Sequence, residues 1–209
     1  MSHQTPSAAL ASAAPTTARR LLRSAGMSLL FALLLWAAAA AGRIPIPGTP
    51  VGITLQTFVL MLAALSLDWR EASGAVVLYL LAGAAGLPVF SGGMSTLALV
   101  GPSAGFLFGF LPGVIVASLL KGKARGTGAR GTGARGYWLT AARYFGASLV
   151  GCVVIVYAFG VSIQAMLTHV PLSAVALASL GFAGGDLLKA VVASAAVSGL
   201  SSRIARDAK

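Results

Sequence analysis

The sequence predicts an all-α membrane protein in which six transmembrane helices form a single bundle. Three observations predict this class. Of the 209 residues, 57% are hydrophobic and 9% are charged, and the mean hydropathy is +0.90. The apolar residues form runs close to the ~20 residues that a helix needs to span a bilayer. The basic residues lie between these runs, at intervals that place them on one side of a six-span chain.

The charge balance also fits a membrane protein. The net charge is +11, from 15 basic and four acidic residues. In a soluble protein this excess would indicate a nucleic-acid partner. Here the basic residues flank apolar runs, as membrane topology requires, and we expect no nucleic-acid partner. Cys152 stands alone in an apolar run, which excludes a disulfide framework.

The sequence contains no motif for catalysis. It has no G-x-x-x-x-G-K-[ST] phosphate loop, and its two histidines and one cysteine cannot build a metal centre. Ser91, Ser95 and Ser103 have no nearby base in the sequence that would activate them. We therefore expect no catalytic residues, no metal and no cofactor, and no motif favours a membrane enzyme or a scaffold.

The chain begins with a polar tail over residues 1–23, followed by a first apolar run over residues 24–42. The basic end of the tail, the apolar run and the small residues 37–42 together also fit a cleaved signal peptide. A first transmembrane helix has the same pattern at this end, and further apolar runs follow. We therefore predict a transmembrane helix here.

Four more runs have nearly the length of a membrane span. They occupy residues 51–67, 72–87, 101–120 and 144–167. Two of them are shorter than a full span, so we expect these helices to stand upright or to extend into their flanks.

The last apolar region, residues 170–200, is too long for one straight span. The glycines in 181-GFAGG-185 favour a break in it. We predict a short outer helix over 171–180, a glycine-rich bend, and a sixth span that begins near Asp186. Counts of five or seven spans also fit the sequence.

The basic residues predict the orientation of the bundle. Those on one side of a six-span chain are Arg19, Arg20, Arg23, Arg70, Lys121, Lys123, Arg125, Arg130, Arg135, Arg143, Arg203, Arg206 and Lys209. The positive-inside rule makes this side cytoplasmic, so both termini are expected inside, and Trp69 and Trp138 fit an aromatic belt at that interface. The opposite connections carry only Arg43 and His169.

The domain organisation follows from these spans. We expect one transmembrane domain over residues 24–203, a cytoplasmic loop over 121–137, and a C-terminal tail over 204–209. The loop contains the repeat 124-ARGTGARGTGARG-136, whose glycine and threonine content predicts a flexible linker. We expect a solvated loop with a topogenic role, rather than a site for nucleic acid or anionic lipid.

The three outward connections share an unusual composition. Residues 43–57, 86–106 and 170–186 are rich in glycine and proline and nearly free of charge. Irregular backbone at membrane depth is tolerated only where protein or a water-filled cavity satisfies it. We therefore predict loops that fold inward over a cavity at the outer mouth of the bundle.

Asp186 and Lys189 are the principal candidates for a binding site. Asp186 is 17 residues from Arg203, which corresponds to roughly 25 Å of helix, so it is expected slightly below the outer interface. The i, i+3 spacing places both charges on one helix face. Intramembrane charges usually serve a function, although this pair would also fit a purely structural ion pair. A ligand with N–H groups and a carboxylate would suit the two side chains.

Further candidates surround the same mouth. Thr54, Gln56 and Thr57 open the second span and can add hydrogen bonds, although Thr54 also fits a helix cap. Tyr79 lies in the middle of a span and fits core packing. The aromatic residues that fit either a cavity wall or the membrane core are Phe90, Phe106 and Phe182.

The sequence resembles the BioY family, the biotin-specific substrate-binding (S) components of energy-coupling-factor (ECF) vitamin transporters. The similarity lies in four stretches that follow in the family's order: 44-IPIPGTPVGITLQT-57, 86-GLPVFSGG-93, 101-GPSAGFLFGF-110 and 183-AGGDLLKA-190. Each stretch alone is a weak signal, and their combination is specific. At the third stretch the family commonly has G-P-T-G-G-Y, so Ser103 keeps a hydroxyl here and Phe106 lacks one.

The resemblance implies an S-component bundle that holds biotin near the outer face. It implies that Asp186 faces the ureido N–H groups and that Lys189 faces the valerate carboxylate. The other implied binding residues are Gln56, Thr57, Phe90, Gly92, Gly93 and Ser103. Ala37 and Ala41 match the A-x-x-x-A spacing by which S components contact their membrane coupling subunit.

The resulting functional hypothesis is a multi-pass protein of a bacterial cell membrane that captures biotin and carries out no reaction. The implied partners are biotin, a transmembrane coupling subunit, two ATPase subunits and the lipid bilayer. The alternative is an ion- or proton-coupled secondary transporter of a small carboxylate-bearing vitamin that uses Asp186 as carrier. The sequence shows no evident internal repeat, which argues against this alternative.

Overall fold

The computed structural model describes residues 14–122 and 134–207, which contain six helices, one β-hairpin and two short 3₁₀ helices, Ser91–Gly93 and Thr96–Leu99. The elements are α1 (Ala14–Ala40), β1 (Ile44–Ile46), β2 (Thr49–Ile53), α2 (Gln56–Ser66), α3 (Trp69–Ala84), α4 (Ala104–Leu120), α5 (Ala134–Ser148, continued by a π-helical segment, Leu149–Ile155, and by Val156–Thr168) and α6 (Leu172–Asp207). The predictions for residues 1–13, 123–133 and 208–209 lie outside the described residues.

The six helices form an apolar bundle whose exterior suits lipid. Three segments are long and apolar enough to cross a membrane, namely Thr17–Ala40, Arg135–Thr168 and Leu172–Ser201. The helices α2, α3 and α4 are shorter, with 11, 16 and 17 residues. Large apolar side chains such as Trp36 and Leu188 are exposed on the outside, a face that water disfavours and hydrocarbon accommodates. The predicted all-α membrane fold is confirmed.

A β-hairpin replaces the start of the predicted second span. The strands β1 and β2 pair antiparallel, with Ile44 opposite Ile53, and α2 begins only at Gln56. The prediction of one helical run over 51–67 is therefore wrong at its first five residues. The connection Pro47-Gly48, with Gly48 at a φ of 84°, has the sequence pattern of a type II turn. β-branched residues in the strands favour the extended backbone.

The last helix has no interruption. Helix α6 runs without interruption from Leu172 to Asp207, so the predicted short outer helix, glycine-rich bend and sixth span near Asp186 are wrong as separate elements. A side chain at Gly181 would approach Cγ2 of Ile46 to 2.9 Å, so this glycine makes room for the hairpin instead of breaking the helix. Within a membrane, an unbroken helix also keeps every backbone hydrogen bond inside the segment.

The other helix boundaries differ by up to ten residues from the predicted runs. Helix α1 begins at Ala14, so residues 14–23 of the expected tail are helical. Helix α5 begins at Ala134, inside the expected loop 121–137. Polar and basic residues at these ends interrupt the apolar pattern without interrupting the helix.

Glycines bring α4 and α5 into close contact. Gly105, Gly109 and Gly113 follow one face of α4 at four-residue spacing and meet the backbone of α5. A Cβ atom at Gly113 would lie 2.7 Å from the carbonyl oxygen of Gly151. Small residues at this spacing let helix backbones approach closely in membranes, and van der Waals packing then stabilises the pair. This contact fixes the position of the α5 residues that face the cavity described below.

Candidate functional site

A cavity of about 280 Å³ lies at the hairpin end of the bundle. Its walls come from β2, the start of α2, the connection between α3 and α4, and the facing sides of α4, α5 and α6. The volume approaches the lower end of the range for small-molecule sites, roughly 300 Å³. The lining is mostly apolar, with polar groups concentrated on α2, α5 and α6.

The polar groups form one cluster around the carboxylate of Asp186. Thr57 Oγ1 donates to Asp186 Oδ1 over 2.7 Å, and the Tyr157 hydroxyl donates to Oδ2 over 2.6 Å. Lys189 Nζ lies 2.8 Å from Oδ1 in an ion pair. Asp186 is 3% exposed, and its three partners come from three different helices. Charge-assisted hydrogen bonds of this kind compensate for the loss of water around a buried carboxylate.

Lys189 joins the same cluster to the end of the hairpin. Its Nζ donates to the carbonyl oxygen of Thr54 over 2.6 Å and to Thr57 Oγ1 over 3.0 Å, besides its bond with Asp186. The i, i+3 spacing predicts that the two charges share a face, and here they are in direct contact. The ammonium therefore links the residue that follows β2 to α2 and α6 at the polar end of the cavity.

A second buried network begins at Gln56, the residue before Thr57. Gln56 Nε2 donates to the Tyr79 hydroxyl over 2.6 Å, and that hydroxyl donates to the Val89 carbonyl oxygen over 3.1 Å. Gln56 lines the cavity, whereas Tyr79 packs in the core with 1% exposure, as its position within a span predicts. The backbone N–H of Gln56 contacts Thr54 Oγ1 over 3.4 Å, but the N-cap position of α2 is Leu55, so the interpretation of Thr54 as a helix cap is wrong.

An aromatic wall closes one side of the cavity. Phe106, Tyr157 and Phe182 meet edge to face, with ring centroids 5.6–6.1 Å apart. Gly160 allows this arrangement, because a Cβ atom there would lie 2.3 Å from the Phe106 ring. Edge-to-face rings pack favourably and leave an apolar surface next to the carboxylate. The cavity thus pairs one polar end with apolar walls.

The structure places six of the eight predicted binding residues on the cavity. They are Gln56, Thr57, Phe90, Ser103, Asp186 and Lys189. Gly92 and Gly93 do not line it; they adopt φ values of 75° and 72° in the turn between Ser91 and Met94, which do. Ala37 and Ala41 lie exposed at the end of α1 and take no part in the cavity.

Sequence reasoning missed three polar residues of the site, of which Ser91 is considered only as a nucleophile. Tyr157 lies inside an apolar span, where a tyrosine fits core packing equally well, and only its contact with Asp186 distinguishes it. Arg43 belongs to an outer connection by sequence, and it lies at the mouth of the cavity. The one sequence feature that could have indicated Arg43 is its position directly before the apolar residues of the hairpin. Among the described residues, no group of three acidic, histidine or cysteine side chains could hold a metal ion.

Comparisons with known proteins identify a family. The profile of the BioY family matches residues 7–206. The chain is 34% identical over 168 residues to the biotin transporter BioY of Rhizobium etli, covering 80% of this chain and 87% of that protein. It is 37% identical over 153 residues to the biotin transporter BioY of Thermotoga maritima, covering 72% and 80%.

A solved structure shares the fold. It is the crystal structure of the S-component for biotin from an ECF-type ABC transporter. The two structures superpose with a TM-score of 0.76, covering 87% of this chain and 92% of the other at 22% sequence identity. The arrangement of six helices is therefore that of an S component.

Proposed function

The chain belongs to the BioY family, and on that premise we propose that it takes part in biotin uptake as the membrane-embedded, biotin-binding S component of an ECF transporter. One observation carries the proposal. The buried Asp186 carboxylate, held by Thr57, Tyr157 and Lys189, faces a largely apolar cavity of a size suited to a small ligand. The protein is a membrane protein and not an enzyme.

The chemistry of the cluster suits the ureido ring of biotin. Each carboxylate oxygen of Asp186 can accept about two hydrogen bonds. Oδ1 already accepts from Thr57 and Lys189, whereas Oδ2 accepts only from Tyr157. Oδ2 therefore retains capacity for one ureido N–H, and the apolar walls offer a surface for the sulfur-containing ring and the alkyl chain.

The remaining predicted residues have supporting roles in this proposal. Gln56 and Ser103 offer further polar contacts, and Phe90 supplies an apolar wall. Gly92 and Gly93 shape the turn that carries Ser91 and Met94 to the cavity, because positive φ values favour glycine.

The partners and topology are proposed from the family. We expect a transmembrane coupling subunit and two ATPase subunits, since the chain has no phosphate loop of its own. The exposed Ala37 on α1 and Ala41, directly after α1, are suited to a close helix contact with the coupling subunit. Residues 24–203 would act as one domain, with tails 1–23 and 204–209 and loop 121–137 on the cytoplasmic side.

Two measurements test the proposal. Detergent-purified protein should bind labelled biotin saturably, and absence of such binding would contradict it. Cells that express the chain with the coupling and ATPase subunits should then take up biotin in an ATP-dependent manner. Uptake by the chain alone that collapses with an uncoupler would instead support the secondary transporter that uses Asp186 as carrier.

Replacing Tyr157 with phenylalanine should weaken biotin binding. The variant removes the hydrogen bond to Asp186 Oδ2 and frees the carboxylate to rotate. A hydrogen bond to a charged group contributes about 1.5 kcal/mol, so we expect roughly a 10-fold loss of affinity by isothermal titration calorimetry. Tyr144→Phe is the matched control, because Tyr144 is also buried on α5 and does not line the cavity. Equal effects of the two variants would exclude a specific role for Tyr157.

A further inference from the structure

A second, smaller cavity lies where the hairpin meets the end of α5 and the start of α6. Its volume is about 100 Å³. Gly48 and Pro50 line it from the hairpin, Gln164 and Thr168 from α5, and Val175 from α6. Pro50 also lines the larger cavity, so both cavities lie against the same strand. A change in the small cavity that displaces β2 therefore also displaces a wall of the candidate binding site.

The side-chain amide of Gln164 is a buried polar group of this small cavity. Gln164 is 3% exposed, and its Nε2 donates over 3.3 Å to Oγ1 of Thr49, the first residue of β2. Its Oε1 is buried and has no hydrogen-bond partner in the part of the chain that the structure describes. Buried amide oxygens are normally hydrogen-bonded, because an unpaired acceptor carries the full cost of its desolvation. The Gln164 side chain therefore needs one further donor.

Water is the ligand that suits this cavity. A cavity needs roughly 10–15 Å³ to hold one water molecule, and a buried water usually makes about three hydrogen bonds to polar groups that otherwise lack a partner. One molecule can donate to Gln164 Oε1. The Thr168 hydroxyl donates to the Gln164 carbonyl oxygen over 2.8 Å and retains acceptor capacity at the same wall. No charged side chain of the described residues lines the cavity, so an ion would be desolvated there without a counter-charge.

We propose that this cavity is a hydration site in which bound water donates to Gln164 Oε1, and that Gln164 is a positioning residue for the hairpin. The amide holds Thr49 directly, and the water occupies the space beside Gly48 and Pro50. Residues 51–52 of the same strand line the larger cavity, whereas Gln164 does not. Gln164 thus acts on the candidate binding site through β2. The effect on biotin rests on the proposed function, and the hydration site does not.

A crystal structure of the full-length protein at about 2 Å resolution or better tests the hydration site directly. We expect electron density for a water oxygen about 2.7–3.2 Å from Gln164 Oε1 in the wild type. This density should be lost in Gln164→Leu, because leucine offers no acceptor. An acyl chain in the cavity, or no density beside Gln164 Oε1, would overturn the inference and leave the proposed function standing.

Biotin titration in detergent tests the positioning role. Gln164→Leu keeps a side chain of similar size and removes the amide, so we expect about a 10-fold loss of affinity, as for one to two hydrogen bonds. Gln164→Glu keeps an acceptor for the water and a partner for the Thr49 hydroxyl, so it should stay within about three-fold of wild type. Ser179→Ala is the matched control and should change nothing. Ser179 is buried on α6, donates to the Val175 carbonyl oxygen of its own helix and lines neither cavity.

The two variants of Gln164 separate positioning from packing. A role in packing alone would leave Gln164→Leu at wild-type affinity, because leucine fills the same space. That result, or an equal loss of affinity in Gln164→Leu and Gln164→Glu, would overturn the positioning role. Absence of saturable biotin binding to the wild-type protein would overturn the proposed function, and the density beside Gln164 would still decide the hydration site.

Discussion

Asp186→Asn is expected to lower the affinity for biotin by at least about 100-fold, because several hydrogen bonds to a buried charge are lost together. All three groups that surround the carboxylate are donors, from Thr57, Tyr157 and Lys189. Asparagine offers one acceptor oxygen, and its amide nitrogen would face another donor. The ureido N–H of biotin would lose its acceptor at the same time.

The same variant should also destabilise the empty protein. It leaves the Lys189 ammonium in a buried site without a counter-charge, and breaking a buried pair in this way costs about 3–5 kcal/mol. A drop in thermal unfolding midpoint therefore has to be separated from a loss of binding. The double variant Asp186→Asn/Lys189→Met achieves this, because it removes both charges.

The wild type, the two single variants and the double variant are compared by thermal unfolding in detergent and by biotin titration. Both single variants, Asp186→Asn and Lys189→Met, should unfold at lower temperature than wild type, and the double variant should recover most of the difference. The double variant should nevertheless fail to bind biotin. Retained binding in the double variant would mean that the pair only stabilises the position of α6. This is the structural alternative that the sequence leaves open.

The sequence predicts those residues of the candidate site whose charge is unusual within an apolar run. An aspartate and a lysine one turn apart in an apolar run are costly in a membrane, so their presence favours a function over a purely structural ion pair. The spacing gives a shared face, but it cannot tell that the donors of Lys189 are already used. Tyr157 carries no comparable signal, because an apolar span accommodates a tyrosine in its core at little cost.

The helices are predictable from the lengths of the apolar runs, and the irregular parts are not. Residues 51–53 belong to the same predicted apolar run as α2, so a short strand cannot be distinguished from the first turn of a helix by periodicity. Glycines usually indicate a bend, yet Gly181 lies within an unbroken helix because Ile46 packs against it. Both errors come from one tertiary contact, in which the hairpin packs against α6. The pattern of neighbouring residues cannot predict this contact, because the hairpin and α6 are far apart in the sequence.

Gly151→Ala should destabilise the bundle, because the added methyl group has no space between α4 and α5. A Cβ atom at Gly151 would lie 2.4 Å from the carbonyl oxygen of Gly113 and 2.6 Å from the backbone nitrogen of Ala117. Backbone atoms cannot rotate away, so the two helices must separate. Overpacking of this kind costs about 1–3 kcal/mol, or roughly 2–12 °C in the midpoint of thermal unfolding for a protein of this size.

The matched control lies on the same helix. A Cβ atom at Gly146 would meet nothing within 4 Å, and alanine favours a helix by up to about 1 kcal/mol over glycine, so Gly146→Ala should unfold at or slightly above the wild-type temperature.

Gly151 belongs to the π-helical segment, and Tyr157 follows it on α5. Displacement of α5 should therefore also separate the Tyr157 hydroxyl from Asp186, so Gly151→Ala should weaken biotin binding as Tyr157→Phe does. A stable Gly151→Ala protein with wild-type affinity would show that the close contact of α4 and α5 does not position the cavity.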